Sequence, residues 1–245
     1  MKTIPSASPD LVNAEEIHRF LHQLADPAIA AHSQRFFRTG PGEYGEGDLF
    51  LGIRVPVLRA LLPRLKPLPT TELFATLRSP WHEQRLLALL LLVQRFRRAN
   101  AEEREPLFQG YLRHSQWINS WDLVDCSASH IIGAHLTEST RHLLAELAQS
   151  ASLWQRRMAI IATHHFIRQN DFIDCLRIAE LLLGDGHDLI HKAVGWMLRE
   201  VGKREQSVEE VFLDRHAARM PRTMLRYAIE KFPESLRLAY LHGLM

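Results

Sequence analysis

The run Ser120-Trp121-Asp122-Leu123-Val124-Asp125 brings together an aromatic ring and carboxylates at helical spacing. A serine ahead of a short apolar run is an N-cap, and the helix it opens sets Trp121 and Asp125 at i and i+4, on one face. Leu123 and Val124 then turn toward the core side. An aromatic face beside a carboxylate attracts a cation twice, through the ring quadrupole and through Coulomb attraction in a partly dry pocket. The spacing thus points to a positively charged target. The same residues also fit a plainer role, in which Trp121 packs and Asp122 or Asp125 complements the positive end of the helix.

Two further runs carry candidate chemistry. Trp154-Gln155-Arg156-Arg157-Met158-Ala159-Ile160 opens a helix with adjacent arginines. One of them leaves the apolar side, where its guanidinium fork matches phosphate oxygens; a surface salt bridge or a capped neighbouring helix is the alternative. In Asp188-Leu-Ile-His191-Lys192-Ala-Val-Gly195-Trp196-Met-Leu-Arg199-Glu200 a glycine sits inside a helix. Glycine there is less stable than alanine by roughly 0.5 to 1 kcal/mol, so Gly195 is expected to admit a close neighbour, either another helix or a ligand. Trp196 stands beside that gap.

The elements that must position these residues are helices. Apolar residues recur at helical spacing, as in Leu73-Phe74-Leu77 and Ile178-Leu181-Leu182, and no alternating Val/Ile/Thr run suggests a sheet. The expected class is all-α. Asp10, Ser120, Ser152 and Asp188 read as N-caps, while Pro80, Pro221 and Pro233 fit a first helical turn, where the missing N–H is no loss. About twelve to fourteen helices of about 10 to 18 residues follow. Residues 38–52 hold five glycines and Pro41 and read as a loop between the first helices and the body. Helix pairs repeated without strict sequence identity describe a HEAT-like or ARM-type α-α superhelix, a curved solenoid with a concave face. A compact helical bundle has the same periodicity.

Composition narrows the classes. Apolar residues are 46% and charged residues 24% of the 245, ordinary values for a chain that buries a core. The longest apolar run, residues 86–93, falls short of the roughly 18 residues a membrane span needs, and reads as a buried helix. Cys126 and Cys175 form no close-spaced metal or redox motif, and residues 1–10 lack a leader pattern, so a reducing cytoplasm is the expected compartment. The net charge is only +2, but it is unevenly placed. Lys and Arg outnumber Asp and Glu by 11 to 5 over residues 35–99, and the balance reverses to 3 against 7 over residues 101–150. A basic stretch followed by an acidic one suits a polyanion binder whose reactive centre wants negative charge; solvated helix faces produce similar counts.

Five motifs in order then resemble a known family: Gly52-Ile-Arg54-Val-Pro56, Trp121-Asp122-x-x-Asp125, Trp154-x-x-Arg157-x-Ala-Ile160, Lys192-Ala-x-Gly195-Trp196-x-Leu-Arg199-Glu200, and Pro221-Arg222-x-x-Leu225-Arg226-Tyr-Ala-Ile-Glu230. Together they look like the AlkD family of DNA alkylation-repair glycosylases, over about residues 30–235. The resemblance implies one HEAT-like repeat domain over residues 1–245, with about residues 1–30 a helical amino-terminal extension and a concave face gripping duplex DNA. It implies excision of cationic alkylated purines such as 3-methyladenine and 7-methylguanine by a monomer that needs no cofactor. Carried over, the catalytic cradle falls on Trp121, Asp125 and Trp196, and the phosphate-contacting arginine on Arg157, with Arg156 beside it. Tyr44 and Arg54 stand near the amino-terminal DNA contacts, and Lys192 and Arg199 join the DNA-binding set.

The implied chemistry needs little. Ordinary glycoside hydrolysis takes one carboxyl to protonate the leaving group and another to support the sugar cation or its water. An N3- or N7-alkylated purine is already positive and leaves as a neutral base, so one carboxylate, Asp125, suffices. Enzymes acting on a base usually extrude it, whereas the resemblance implies a lesion that stays in the duplex. A non-catalytic DNA-binding solenoid and a protein-interaction scaffold are the competing functions. The 14 histidines, including His130, His135, His164, His165 and His191, show no metal-ligand spacing, so no metal is expected. Burial and the neighbouring Asp125 are expected to raise the Cys126 thiol and leave it a packing residue.

Overall fold

A computed structural model describes residues 10–244. Most of the stretch expected to lack a leader pattern, residues 1–9, and the start of the expected amino-terminal extension lie outside the described residues. Every regular element among the described residues is helical, apart from one isolated bridge between Leu49 and Trp81. The chain divides into two compact units, residues 1–127 and 128–245.

The first unit contains α1 (Ala14–Leu24), α2 (Pro27–Phe36), α3 (Val55–Leu61), α4 (Thr70–Leu77), α5 (His82–Arg98), α6 (Ala101–Arg113) and α7 (Trp121–Asp125). Its centre is α5, against which α1, α3, α4, α6 and α7 all pack. The apolar run at 86–93 is buried on every side, as a helix that is hydrophobic all round must be. The glycine-rich stretch 38–52 is irregular, as expected. It ends at Gly52, whose φ is +81°. A Cβ there would lie 2.6 Å from the Ala30 nitrogen, so both the backbone conformation and the close approach of α2 require glycine.

The second unit contains a π-turn (Ser129–Gly133), α8 (His142–Ala148), α9 (Leu153–Ala162), α10 (His164–Ile167), α11 (Ile173–Leu181), α12 (Asp188–Gly202), α13 (Gln206–His216), α14 (Arg222–Ala228) and α15 (Glu234–His242). Helices α9, α12 and α14 pack side by side, and α8 and α11 pack on each other behind them. That is the pairwise helical repeat expected for a HEAT-like class.

Local boundaries differ from expectation. The described residues form fifteen α-helices, of 4 to 17 residues, shorter than read from periodicity. Asn13, not Asp10, caps α1 by accepting from the Glu16 N–H at 2.9 Å. Asp188 is the first residue of α12, and His187 caps it through Nδ1. Ser152 caps α9, whereas Ser120 stands at the N-cap position of α7 without making the bond. Pro221 and Pro233 occupy the N-cap itself, with φ of −52° and −53° and extended ψ; proline's fixed φ suits that position as well as the first turn. Pro80 precedes the cap residue Trp81 of α5.

Candidate functional site

Helix α7 is five residues long and divides as its sequence indicated. Leu123 and Val124 are fully buried, while Trp121, Asp122 and Asp125 are half-buried. One turn of helix is not stable alone, and Ser120 Oγ is buried without a hydrogen-bond partner among the described residues. What holds α7 therefore comes from elsewhere in the first unit. Asp122 Oδ2 accepts from His82 Nε2 at 2.8 Å, and the other ring nitrogen, Nδ1, bonds Asp48 Oδ2, also at 2.8 Å. Asp48 Oδ1 in turn accepts from Arg85 Nη2 at 2.6 Å, and Arg85 Nη1 donates to the Ser79 carbonyl at 2.9 Å. Next in sequence, the Glu83 carboxylate receives the backbone N–H groups of Leu51, Gly52 and Ile53 at 2.9, 2.7 and 3.1 Å. The first turn of α5 thus binds the end of the glycine-rich loop on one side and α7 on the other.

Rings reinforce this frame. His82 stacks on Phe50 (centroids 4.5 Å apart), Phe50 on Phe37 (5.1 Å), and Phe37 on Trp121 (5.4 Å). Phe36 meets Trp121 edge-on at 6.0 Å and is itself 58% exposed. One face of Trp121 is therefore a packing surface, which gives the plainer sequence reading a share of the truth. A cavity of about 380 Å³ opens beside this stack, lined by Phe37, Phe50, Ile53, Leu86, His82 and Asp122 among others, with Arg54 at its edge.

Charge in the frame is balanced. Burial opposes a proton on His82, but the Asp122 and Asp48 carboxylates outweigh it and raise the imidazole to about 9. Burial would likewise raise Asp48; the His82 hydrogen bond and the Arg85 charge reverse this and lower it. Burial, followed by Asp122 and Asp125, pushes the Cys126 thiol far up, as its packing role demands.

The remaining candidates are distributed as follows. In the first unit Tyr44 is half-buried in the glycine-rich loop, and Arg54 is exposed at the start of α3. In the second unit Lys192, Trp196 and Arg199 follow one another along one face of α12. Lys192 pairs with Asp188 at 2.8 Å, Arg199 with Glu230, and Trp196 Nε1 donates to Glu200 Oε1 at 3.1 Å. Arg157 is buried, 5% exposed, and its guanidinium donates to the Leu189 carbonyl in the first turn of α12. Arg156 is ion-paired with Asp185 at 2.6 Å and also caps the Ser150 and Ala151 carbonyls, the salt-bridge alternative. Gly195 admits a helix. A Cβ there would lie 2.5 Å from Tyr227 Cβ and 3.1 Å from the Ala228 nitrogen of α14.

Sequence reasoning missed Asp48, His82, Glu83 and Arg85. The available signal was His82-Glu83-Gln84-Arg85 directly ahead of an all-apolar run. Because α5 is buried on every side, polar residues in its first turn are buried as well and require partners.

A family model described as DNA alkylation repair enzyme matches residues 17–232. Among curated proteins none matches the chain. Among solved structures, the chain is similar to one described as a predicted DNA alkylation repair enzyme from Enterococcus faecalis. The TM-score is 0.67 at 18% identity, with 86% of this chain and 97% of that one covered; at this identity the likeness speaks for a shared fold. The family model runs from the second turn of α1 past α14 and includes α7, the first turn of α5 and α12, and the chain therefore belongs to the DNA alkylation repair enzyme family.

Proposed function

We propose that this protein is a monofunctional DNA glycosylase that hydrolyses the N-glycosidic bond of positively charged alkylated purines, such as 3-methyladenine and 7-methylguanine, in duplex DNA without flipping the base. The observation that carries the reading is the division of α7 in a member of this family: Leu123 and Val124 are buried, while Trp121 and Asp125 keep partly open surface.

The damaged purine carries its positive charge before the reaction and departs neutral, taking the glycosidic electron pair. Positive charge then moves to the deoxyribose. Asp125 stabilises that oxocarbenium character and orients the water whose oxygen bonds to the sugar carbon, with the proton passing to the carboxylate or to solvent. Trp121 and Trp196 add cation attraction through their ring faces. Arg157 contacts a backbone phosphate, its guanidinium fork being the group that matches phosphate oxygens. Arg156, Tyr44, Arg54, Lys192 and Arg199 supply further DNA contacts. The family match extends through both units, which supports a single repeat domain. Cys126 and Cys175 are both free thiols, which supports a reducing compartment, and no helix among the described residues is long and apolar enough to cross a membrane. The protein acts as a monomer without a cofactor.

Wild-type protein should release 7-methylguanine from duplex DNA, and Asp125→Asn should lose this activity by about 10²-fold or more, the scale of removing a preorganised electrostatic contact. Equal release by both proteins sinks the mechanism. The excess of basic residues over 35–99 favours a second reading, a non-catalytic DNA binder, for which salt-sensitive binding without base release is the signature.

A further inference from the structure

Three charged side chains, Asp48, His82 and Arg85, are buried in the first unit to 3–4% side-chain exposure, an arrangement that does not maximise stability. Apolar residues would fill the same space more simply. What the charges add is direction. Both ring nitrogens of His82 are bonded to carboxylate oxygens, which only accept, so both must donate. The ring therefore bridges two elements at fixed distance and angle: the glycine-rich loop through Asp48, and α7 through Asp122. The other oxygen of Asp122, Oδ1, is buried without a hydrogen-bond partner among the described residues. With Ser120 Oγ unbonded as well, the bond from His82 to Asp122 is the side-chain hydrogen bond that anchors the start of α7 among the described residues.

We propose that His82 and Asp122 are positioning residues, the His82 ring setting the register of α7 and with it the aim of Trp121 and Asp125 at the damaged nucleotide. The proposal rests on the glycosylase reading for its effect on rate, and on geometry alone for its effect on α7. Two paths run from His82 to the candidate pair. One is the bond to Asp122, adjacent to Trp121 and three residues before Asp125. The other is the stack through Phe50 and Phe37 to the Trp121 ring. A residue acting this way touches no substrate, so its loss should lower the rate of the chemical step and leave DNA affinity unchanged. Misplacement of a catalytic group by about 1 Å is worth on the order of 10²-fold in rate.

Among the described residues the charged groups facing His82 are Asp48 from the loop, Asp122 from α7, Glu83 and Arg85 from its own helix, and Arg54 at the edge of the adjoining cavity; α2 contributes the uncharged Ile29 and Ser33 there, followed by its cap residue Phe37. Loss of the ring proton removes one of the two donors. The rate should then fall as pH rises through about 9, the value to which Asp122 and Asp48 raise the ring against burial.

The test uses full-length protein with three substitutions. His82→Ala and Asp122→Asn should slow single-turnover release of 7-methylguanine at saturating protein by about 10- to 100-fold, with the duplex Kd within about twofold of wild type. The α7 amides should exchange hydrogen faster in both. Imidazole, which the open cavity admits, should restore part of the His82→Ala rate, and the His82→Ala profile should lack the alkaline decline. Asp125→Asn should abolish release while leaving α7 exchange as in wild type. Unchanged release by His82→Ala, or a loss seen wholly in Kd, overturns the proposal; should His82→Ala fail to fold, the near-isosteric Asp122→Asn decides by the same measures. If wild-type protein releases no base, the glycosylase reading fails separately. Positioning is then judged by α7 exchange, faster in both variants if it holds and unchanged if it does not.

Discussion

Helices α7 and α12 each carry a candidate tryptophan on a half-buried face, and they are held in place by opposite means. The first is a single turn whose side-chain cap is unmade, fixed by buried charge from the first turn of α5. The second runs for fifteen residues, is capped by its own neighbour His187, and is seated by shape, with α14 lying directly against Gly195. A short helix cannot supply its own stability, so its register depends on a few directional bonds. A long one carries its own hydrogen bonds and depends instead on fitted volume. Sensitivity should differ accordingly, to a single functional group in the first unit and to a single added methyl in the second.

The contrast can be broken most forcefully at Glu83. Glu83→Ala strands three buried backbone N–H groups in residues 51–53, and should destabilise the protein by about 3–5 kcal/mol, as removal of one side of a buried charged network does. Chemical denaturation measures it; a change below about 1 kcal/mol would mean that water replaces the carboxylate and that the loop is not held as described. Gly195→Ala sets two effects against each other. Alanine favours a helix interior by about 1 kcal/mol, but its methyl meets Tyr227 Cβ at 2.5 Å, and overpacking of this kind costs about 1–3 kcal/mol. The clash should win, for a net loss of about 1–2 kcal/mol without change in pH dependence. A stabilised Gly195→Ala would show that α14 yields, and that packing does not set α12.

Which parts were legible follows from the range of the rules involved. Helical periodicity acts over three or four residues, and it correctly sorted Leu123 and Val124 from Trp121 and Asp125, and the apolar run of α5 into the core. It also flagged Gly195, leaving open whether a helix or a ligand filled the gap; α14 does. The bonds that seat α7 join residues 34 and 40 positions apart, and no local pattern carries that pairing. The Ser120 cap failed for a related reason, whereas Ser152 caps α9 as expected. Ser120 has the right type at the right place, yet its bond is left unmade while α7 is seated through the distant His82. Of the adjacent arginines, Arg156 turned to a salt bridge and Arg157 inward to a carbonyl on α12, since a buried helix start offers carbonyls as well as solvent.

The smallest effect tests the contrast through protons. In the first unit His82 holds its proton up to about 9 because two carboxylates face it. In the second, Glu209 on α13 is 1% exposed, and burial raises its carboxyl to about 9 against the opposing charge of Arg199. Both groups bind a proton more tightly folded than unfolded, so each contributes stability that falls as pH rises. The windows differ. His82 contributes fully below its ordinary 6.5 and loses its contribution between there and about 9, whereas Glu209 begins to lose its own from 4.5. Denaturation midpoints at pH 5, 6.5, 8 and 9 should therefore show Glu209→Gln flattening the wild-type slope already between pH 5 and 6.5, by at most about 1.4 kcal/mol per pH unit. His82→Gln should leave that interval untouched and flatten only the interval above it. If His82→Gln leaves the interval above pH 6.5 as steep as in wild type, the proton on His82 is not held by its paired carboxylates, and the distinction between a charge-seated α7 and its uncharged counterpart in the second unit loses its basis.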